Sequence, residues 1–404
     1  MIRIGLVGKT NTGKTTFFNS ATLLSAEVST YPFTTKQPNL GQASVQTICV
    51  CKELNVKDNP QNSSCIDGWR FIPIEIIDLP GLIKGAWRGR GLGTQFLSVA
   101  SQADALLHIA DASGSIDANG NLTRPGMGNP ISDIYDIEEE ITLWFSRTMQ
   151  KSKRKVMKQI KQSSLPMDLA LAEVFAGLKV KHDHVKQALS FSNLTEKKID
   201  KWSQAEFLDF AKNIRKLSKP TIIIANKMDV GSAEENFKRL REEFKDSIVI
   251  PVSSEAELAL RRAEQKGFIK YIPGEEVFKV ISPEKLTETQ KRALNYVQQR
   301  VLSKWIRTGV QFALNLCAFK LLGMGAVYPV EDVKNLADKK GNILPDVFLM
   351  PPDSIIKELA SQIHSDLART ILYAIDARTG VRLPIDYVLR DRDIINIVSA
   401  TPKR

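Results

Sequence analysis

The chain has 404 residues, 43% apolar and 25% charged; that is too long for one core and too apolar for a disordered or fibrous protein, so two or three globular domains are expected. Its 56 basic and 45 acidic residues leave a formal charge of +11, which favours an anionic partner without specifying a fold. No apolar stretch reaches the roughly 18 residues of a bilayer span, and MIRIGLVGKT enters a strand pattern rather than a signal peptide, so a cytoplasmic protein without membrane attachment is expected.

In chain order, the apolar run IRIGLVG leads into KTNTGKTTFFNS, which reads as strand, glycine-interrupted loop and helix. The β-branched runs QTICVC, FIPIEIID, ALLHIADA, PTIIIANK and SIVIPVSS follow, separated by segments long enough for crossover helices. This predicts an α/β fold with a mostly parallel sheet covered by helices on both faces. About a hundred residues part ALLHIADA from PTIIIANK, far more than one crossover needs. They begin in SGSIDANGNLTRPGMGNP and turn helical through DIYDIEEEITLWF and LPMDLALAEVFAGL, with a capping box from Ser203 to Glu206 opening the last helix. The expected domains are therefore 1–129, an α-helical insertion at 130–218, a continuation of the first domain at 219–325, and a module at 326–404.

Within the insertion, Lys151, Arg154, Lys155, Lys158 and Lys161 recur at spacings of three and four. On a helix they form one basic stripe, which is either a solvated face or a surface for RNA or the ribosome. A second capping box, Thr287 to Gln290, opens a helix running to about Leu302, and WIRTGVQFALNLCAFKLL continues in helical pattern. After Gly325, VYPV, NILPDVFLM, TILYAIDA and IINIVSA read as short strands around one helix, DSIIKELASQI, with no catalytic constellation. Cys49, Cys51 and Cys65 are close enough to raise the question of zinc. Cys317, His108, His182, His184 and His364 supply no fourth ligand nearby, so reduced thiols in or beside a strand are expected.

Residues 8–15, GKTNTGKT, match the phosphate-binding pattern G-x-x-x-x-G-K-[ST]. A loop between strand and helix aims its N–H groups and the helix N-terminus at one point. Gly8, Lys9, Thr10, Asn11, Thr12, Gly13, Lys14, Thr15 and Thr16 are thus candidates for nucleotide contact, with Lys14 reaching the β and γ phosphates and Thr15 ligating Mg²⁺. Asp78 closes the buried run FIPIEIID and can hold the metal, and the Gly81 amide can touch the γ phosphate. In YPFTTKQPN, Thr34 or Thr35 could complete the metal shell, Thr35 being preferred; Lys14, Thr35 and Gly81 form the catalytic set. Asn226, Lys227 and Asp229 of NKMD would read the base. An aspartate accepts from guanine N1–H and the exocyclic amine, a preference over adenine of about 3–5 kcal/mol. Ser253 and Ser254 would close over the base through backbone groups.

In this order the elements resemble the Obg-related GTPases, YPFTT, DLPGLIKGAWRGRGLGTQFL and NKMD being close to that group's local patterns. The long helical insert, SSEAELALRRAEQKGFIKYIPG and the tail resemble the YchF branch, most of all its archaeal members, and the tail resembles a TGS domain, a ubiquitin-like β-grasp module. The resemblance implies ribosome or RNA partners; a monomer is expected, though nothing in the sequence fixes the oligomeric state. Many YchF relatives carry glutamate in the base motif and prefer ATP, whereas Asp229 restores guanine reading. Where relatives often have histidine after GA, this chain has Trp87, followed by Arg88 and Arg90. Leu82 stands where Ras-like enzymes place a water-orienting glutamine, so a hydrophobically substituted GTPase is implied, with hydrolysis on the order of 10⁻⁴ to 10⁻² s⁻¹ until a partner, a cation or another residue helps. Asn11 at its loop position is associated in related GTPases with K⁺, and Arg88 and Arg90 are alternative charge donors. Two other readings stay open: an ATPase of similar architecture, and an RNA-binding scaffold in which hydrolysis is incidental.

Overall fold

The computed structural model describes residues 1–26, 38–81, 85, 87 and 93–400, with residues 93–96 described through their backbone alone. The apolar amino-terminal run forms β1 (Arg3–Val7), followed by α1 (Lys14–Thr22), β2 (Asn39–Ile48), α2 (Val50–Leu54), β3 (Ser64–Ile66), β4 (Trp69–Asp78), α3 (Gly93–Ala100) and β5 (Ala105–Asp111). Four helices come next: α4 (Pro130–Ser163), α5 (Met167–Phe175), α6 (His182–Phe191) and α7 (Gln204–Ser218). Then follow β6 (Thr221–Asn226), α8 (Ala233–Glu243), β7 (Val249–Pro251), α9 (Ser254–Gln265), β8 (Ile269–Lys270), β9 (Lys279–Val280), α10 (Glu288–Val297), α11 (Ser303–Trp305) and α12 (Val310–Asn315). The last elements are β10 (Gly325–Val330), β11 (Phe348–Met350), α13 (Ile356–Ile363), α14 (Ser365–Thr370), β12 (Ile371–Asp376), β13 (Arg382–Leu383) and β14 (Ile394–Ser399). Among the described residues no helix is long and apolar enough to cross a membrane.

The helix starts obey local chemistry. Asn129 caps α4 by accepting from the Ile131 N–H, with Pro130 in the first turn, where no amide donor is needed. The boxes at Ser203 and Thr287 open α7 and α10, each hydroxyl accepting from the amide three residues on. Three expected strands are shorter than their sequences suggest; of SIVIPVSS only Val249–Pro251 stays in the sheet, Ser254 already opening α9. QTICVC leaves the sheet at Ile48, because Val50 and Cys51 bury their side chains from the helix α2 instead. In NILPDVFLM only Phe348–Met350 is strand; Leu344 is left-handed at φ 46° and Pro345 has no amide for a ladder.

The chain divides into two compact units, 3–41 with 75–313, and 1–2 with 42–74 and 314–404. The helical insertion thus belongs to the same unit as the phosphate loop, and residues 42–74 group with the carboxy-terminal module. In the first unit, β4, β1, β5, β6 and β7 lie side by side in that order, all parallel. Register sets Leu6 beside Asp78, Val7 beside His108, and Asp111 beside Asn226, so the carboxyl ends of four strands meet where ligands bind in open α/β sheets. Ile137, Ile141, Trp144, Phe145 and Met149 of α4, at spacings of one, three and four, pack with Leu171, Leu189, Phe210 and Ile214 from α5, α6 and α7.

The other unit carries a five-stranded sheet in the order β11, β10, β14, β12, β13, with β10 and β14 parallel. α13 covers it, burying Ile356 and Leu359 against Val327, Ala374 and Ile395.

Candidate nucleotide site

Gly8 leaves β1 at φ 148° and Asn11 turns left-handed at φ 65°, which winds the loop towards Gly13 at the head of α1. Gly13 has φ 94°, and a Cβ there would lie 2.3 Å from Asn226 Nδ2, so this position accepts glycine alone. Lys14, 6% exposed, folds its ammonium back to donate to the Lys9 carbonyl at 2.5 Å. Burial pushes it down to about 8, against the opposing pull of Asp78. The Thr15 hydroxyl donates to Asp78 Oδ2 at 2.7 Å, and Asn39 Nδ2 donates to the same oxygen at 3.2 Å. Asp78 is 1% exposed; burial raises its carboxyl even though Thr15, Lys14 and Asn39 favour the charged form.

A Cβ on Gly81 would lie 2.4 Å from the Thr10 hydroxyl, so the backbone after Asp78 runs directly against the phosphate loop. That Thr10 hydroxyl is buried with no hydrogen-bond partner among the described residues, an arrangement that a bound oxyanion would satisfy. Lys9 behaves differently from the rest of the loop. Its ammonium donates to Asp133 Oδ1 at 2.6 Å and lies 3.6 Å from Asp136 Oδ2, both on α4, leaving only its main chain at the loop. Thr12 donates to the Lys9 carbonyl at 3.0 Å, and Asn11 Nδ2 donates to the Gly120 carbonyl at 2.9 Å. Thr16 follows in the first turn of α1, half-buried.

Asn226 ties the base motif to this loop. Its Nδ2 donates to the Thr12 carbonyl at 2.9 Å, while its Oδ1 accepts from the Ser254 amide at 3.2 Å and hydroxyl at 2.9 Å. Lys227, left-handed at φ 64°, stretches to Asp111 Oδ2 at 2.9 Å and Ser115 Oγ at 3.0 Å. Asp229, half-buried, accepts from the Ser253 hydroxyl at 2.5 Å, and its carbonyl accepts from the Tyr296 hydroxyl at 2.9 Å. Ser253 and Ser254 therefore act through side chains as well as backbone.

Sequence reasoning missed Asp111, Asp133 and Glu140. Asp111 closes the buried run ALLHIAD just as Asp78 closes its own strand, and it is fully buried with both oxygens bonded. Glu140 of α4, 3% exposed, accepts from the Gly85 amide at 2.6 Å and the Trp87 amide at 3.0 Å. The Trp87 carbonyl accepts from Arg147, also on α4, and its ring packs on the core of the insertion. Thr34, Thr35, Leu82, Arg88 and Arg90 lie outside the described residues. On the far part of α4, Lys151, Arg154, Lys155, Lys158 and Lys161 are all exposed, while Val156 is fully buried.

Residues 3–171 match the family described as 50S ribosome-binding GTPase, residues 224–332 the Obg-like GTPase YGR210-like, G4 motif-containing domain, and residues 335–399 the TGS domain. A GTP-binding protein of Methanocaldococcus jannaschii is 46% identical over 400 residues, covering 99% of this chain and 100% of the relative. The ribosome-binding ATPase YchF of Bacillus subtilis is 32% identical over 273 residues, 65% of this chain and 68% of that protein. The crystal structure of a GTP-binding protein from Pyrococcus horikoshii superposes with a TM-score of 0.78 at 37% identity, covering 99% of this chain and 100% of the other. With a phosphate loop, an adjoining buried aspartate and an NKMD motif locked together, the chain belongs to the Obg-related, YchF-type GTPases that carry a TGS domain.

Proposed function

We propose that this protein is a cytoplasmic, monomeric switch that binds Mg·GTP in preference to ATP, hydrolyses it slowly, and attaches to ribosomes in a nucleotide-dependent way. The observation that carries the reading is Asp229, held by Ser253 on a motif whose Asn226 is bonded to the phosphate loop. Guanine specificity follows from the carboxylate accepting two donors that adenine lacks.

Mg²⁺ fits the residues present: Thr15 and Asp78 offer two oxygens 2.7 Å apart, and a cation would relieve the burial that raises the Asp78 carboxyl. These two, completed by Thr35, would hold the ion, which when bound offsets charge on the β and γ phosphates. The loop amides from Gly8 to Thr16, the Thr10 hydroxyl and the Lys14 ammonium would then receive the phosphates, and Gly81, whose backbone lies against Thr10, would offer its amide to the γ phosphate. Leucine at position 82 cannot orient water, so hydrolysis waits for charge supplied from elsewhere: K⁺ beside Asn11, an arginine of the 88–90 segment, or the partner. The exposed basic stripe on α4 is the surface for ribosomal RNA, with the TGS domain as a second contact.

The Bacillus relative is named an ATPase, which favours a second reading with ATP as the substrate. Competition titration of the full chain with GTP, GDP and ATP separates the two. Wild-type protein should prefer GTP by about 10²- to 10⁴-fold, and Asp229→Ala should erase the preference. Equal affinity for both purines in the wild type, or a preference that survives the substitution, would overturn the GTP assignment.

A further inference from the structure

The unit that holds the TGS domain also contains a side-chain cluster for which nucleotide chemistry has no use. Cys49 follows β2, Cys51 sits in α2, Asp58 lies in the next loop and Cys65 is in β3. Their four ligand atoms all lie within 4.8 Å of one another. Cys49 Sγ is 3.3 Å from Asp58 Oδ2, and Cys51 Sγ is 3.7 Å from Cys65 Sγ. A tetrahedral zinc ion, with bonds of about 2.3 Å to sulfur and 2.0 Å to oxygen, has edges of about 3.8 Å between sulfurs and about 3.5 Å between sulfur and oxygen. The two measured pairs are close to those edges, on opposite sides of one small polyhedron. We propose that Cys49, Cys51, Asp58 and Cys65 bind a single Zn²⁺ in a closed, four-coordinate structural site.

The donor set narrows the ion. Three sulfurs exclude the hard cations Mg²⁺ and Ca²⁺, and four protein ligands leave no open position for catalysis. The ligand that a search for cysteine and histidine overlooks is the carboxylate of Asp58, midway between Cys51 and Cys65 in the chain. Three thiolates and a carboxylate carry more negative charge than one Zn²⁺ offsets, and the surroundings answer that excess. Arg70 is fully buried, with its guanidinium 3.7 Å from Asp58 Oδ2 and 5.3 Å from the centre of the Tyr328 ring. Tyr328 is itself fully buried and its hydroxyl has no hydrogen-bond partner among the described residues. The Tyr328 hydroxyl interacts with Cys49, so a metal-bound Cys49 thiolate would supply its acceptor, the kind of outer partner that orients a ligand.

The ion would hold a loop with a task. The Asn59 amide donates to the Ile343 carbonyl at 2.8 Å, the Gln61 amide to the Pro345 carbonyl at 2.6 Å, and Asn62 exchanges hydrogen bonds with Val347 at 3.0 Å each way. Arg70 donates to the Leu344 carbonyl at 2.6 Å. The segment 343–347, inside the TGS match, is thereby pinned by the loop that zinc closes, so metal loss is expected to loosen it.

The full chain, purified under reducing conditions without chelator, should contain one zinc per molecule by elemental mass spectrometry. Replacement by Co²⁺ should give thiolate charge-transfer absorption and the intense visible bands of tetrahedral cobalt. Cys51→Ser and Cys65→Ser should lose the metal while Cys317→Ser keeps it, with GTP affinity unchanged in all three as the folding control; Tyr328→Phe should weaken zinc retention about tenfold. Stripping the wild-type metal should speed amide exchange at Asn59 and Gln61. Wild-type protein that takes up no zinc after reconstitution, a six-coordinate cobalt spectrum, uptake undiminished in Cys51→Ser and Cys65→Ser, or a Cys51–Cys65 disulfide in the reduced preparation would each overturn the site.

Discussion

Glu140→Gln tests whether α4 holds the loop that follows the Asp78 strand. The native carboxylate accepts from two amides, Gly85 at 2.6 Å and Trp87 at 3.0 Å, at a position only 3% exposed. A hydrogen bond to a charged acceptor contributes about 1.5–3 kcal/mol. Glutamine keeps one oxygen but turns an NH₂ group toward the second amide, so one such bond is lost and a donor faces a donor. The equilibrium between clasped and released loop should shift by about 10- to 150-fold towards release. Amide hydrogen exchange in the nucleotide-free protein reads this directly, since exchange rates follow the open population when closing is fast. Exchange at Gly85 and Trp87 should accelerate by that factor while the amides of α7 stay unchanged. Unaltered exchange at both positions would show that Glu140 does not hold the loop.

Two further outcomes follow from the site. Burial lowers the Lys14 ammonium to about 8 in the free protein, and a bound triphosphate must raise it, so the complex holds more protons than the free protein above that value. The Lys14 contribution to GTP affinity should therefore be flat just below about pH 8 and fall above it by up to tenfold per pH unit, whereas Lys14→Met should bind weakly with that alkaline slope removed, any titration of guanine itself cancelling in the comparison; an alkaline slope that persists in the variant would refute the assignment. Replacing Lys151, Arg154, Lys155, Lys158 and Lys161 together by glutamine should reduce the salt dependence of ribosome binding by about 3 to 4 in the log–log slope, with GTP affinity unchanged, and an unchanged slope would return the stripe to a solvated face.

What could be read in advance was whatever backbone geometry or strand ends impose. Gly13 is required by a left-handed turn and by the amide of Asn226 behind it, and Asp78 is a carboxylate closing an apolar strand; both leave local marks. Asp111 carries the same mark, but no motif surrounds it to give the carboxylate a task. Asp133 and Glu140 left none, since their partners Lys9, Gly85 and Trp87 lie far away in sequence and meet them only when α4 docks. The fourth residue of the cysteine cluster was missed for a chemical reason, since aspartate is common everywhere and becomes a ligand only by position. β-propensity misled at Val50 and Cys51, where burial from a helix outweighs the preference of a β-branched residue for a strand.

α4 is the element in which these observations converge. Asp133 in its first turn holds the ammonium of Lys9, Glu140 two turns later holds the Gly85 and Trp87 amides, and the basic stripe begins at Lys151 on the same uninterrupted helix. At 1.5 Å per residue, the distance from Asp133 to Lys158 is about 37 Å, spanned by one rod with no internal joint. A ligand can bias a distant surface only through an element that it stabilises differently in its two states. Both anchors of α4 lie next to the nucleotide site: the phosphate loop through Lys9, and Gly85 and Trp87 through Glu140. Any change in either anchor must either break a buried charge-assisted bond or carry the helix along, and a helix packed through Ile137, Ile141, Phe145 and Met149 moves as a body rather than bending. A nucleotide that displaces either anchor is therefore expected to reorient the stripe, and an unchanged stripe in the GDP and GTP-analogue complexes would refute that coupling.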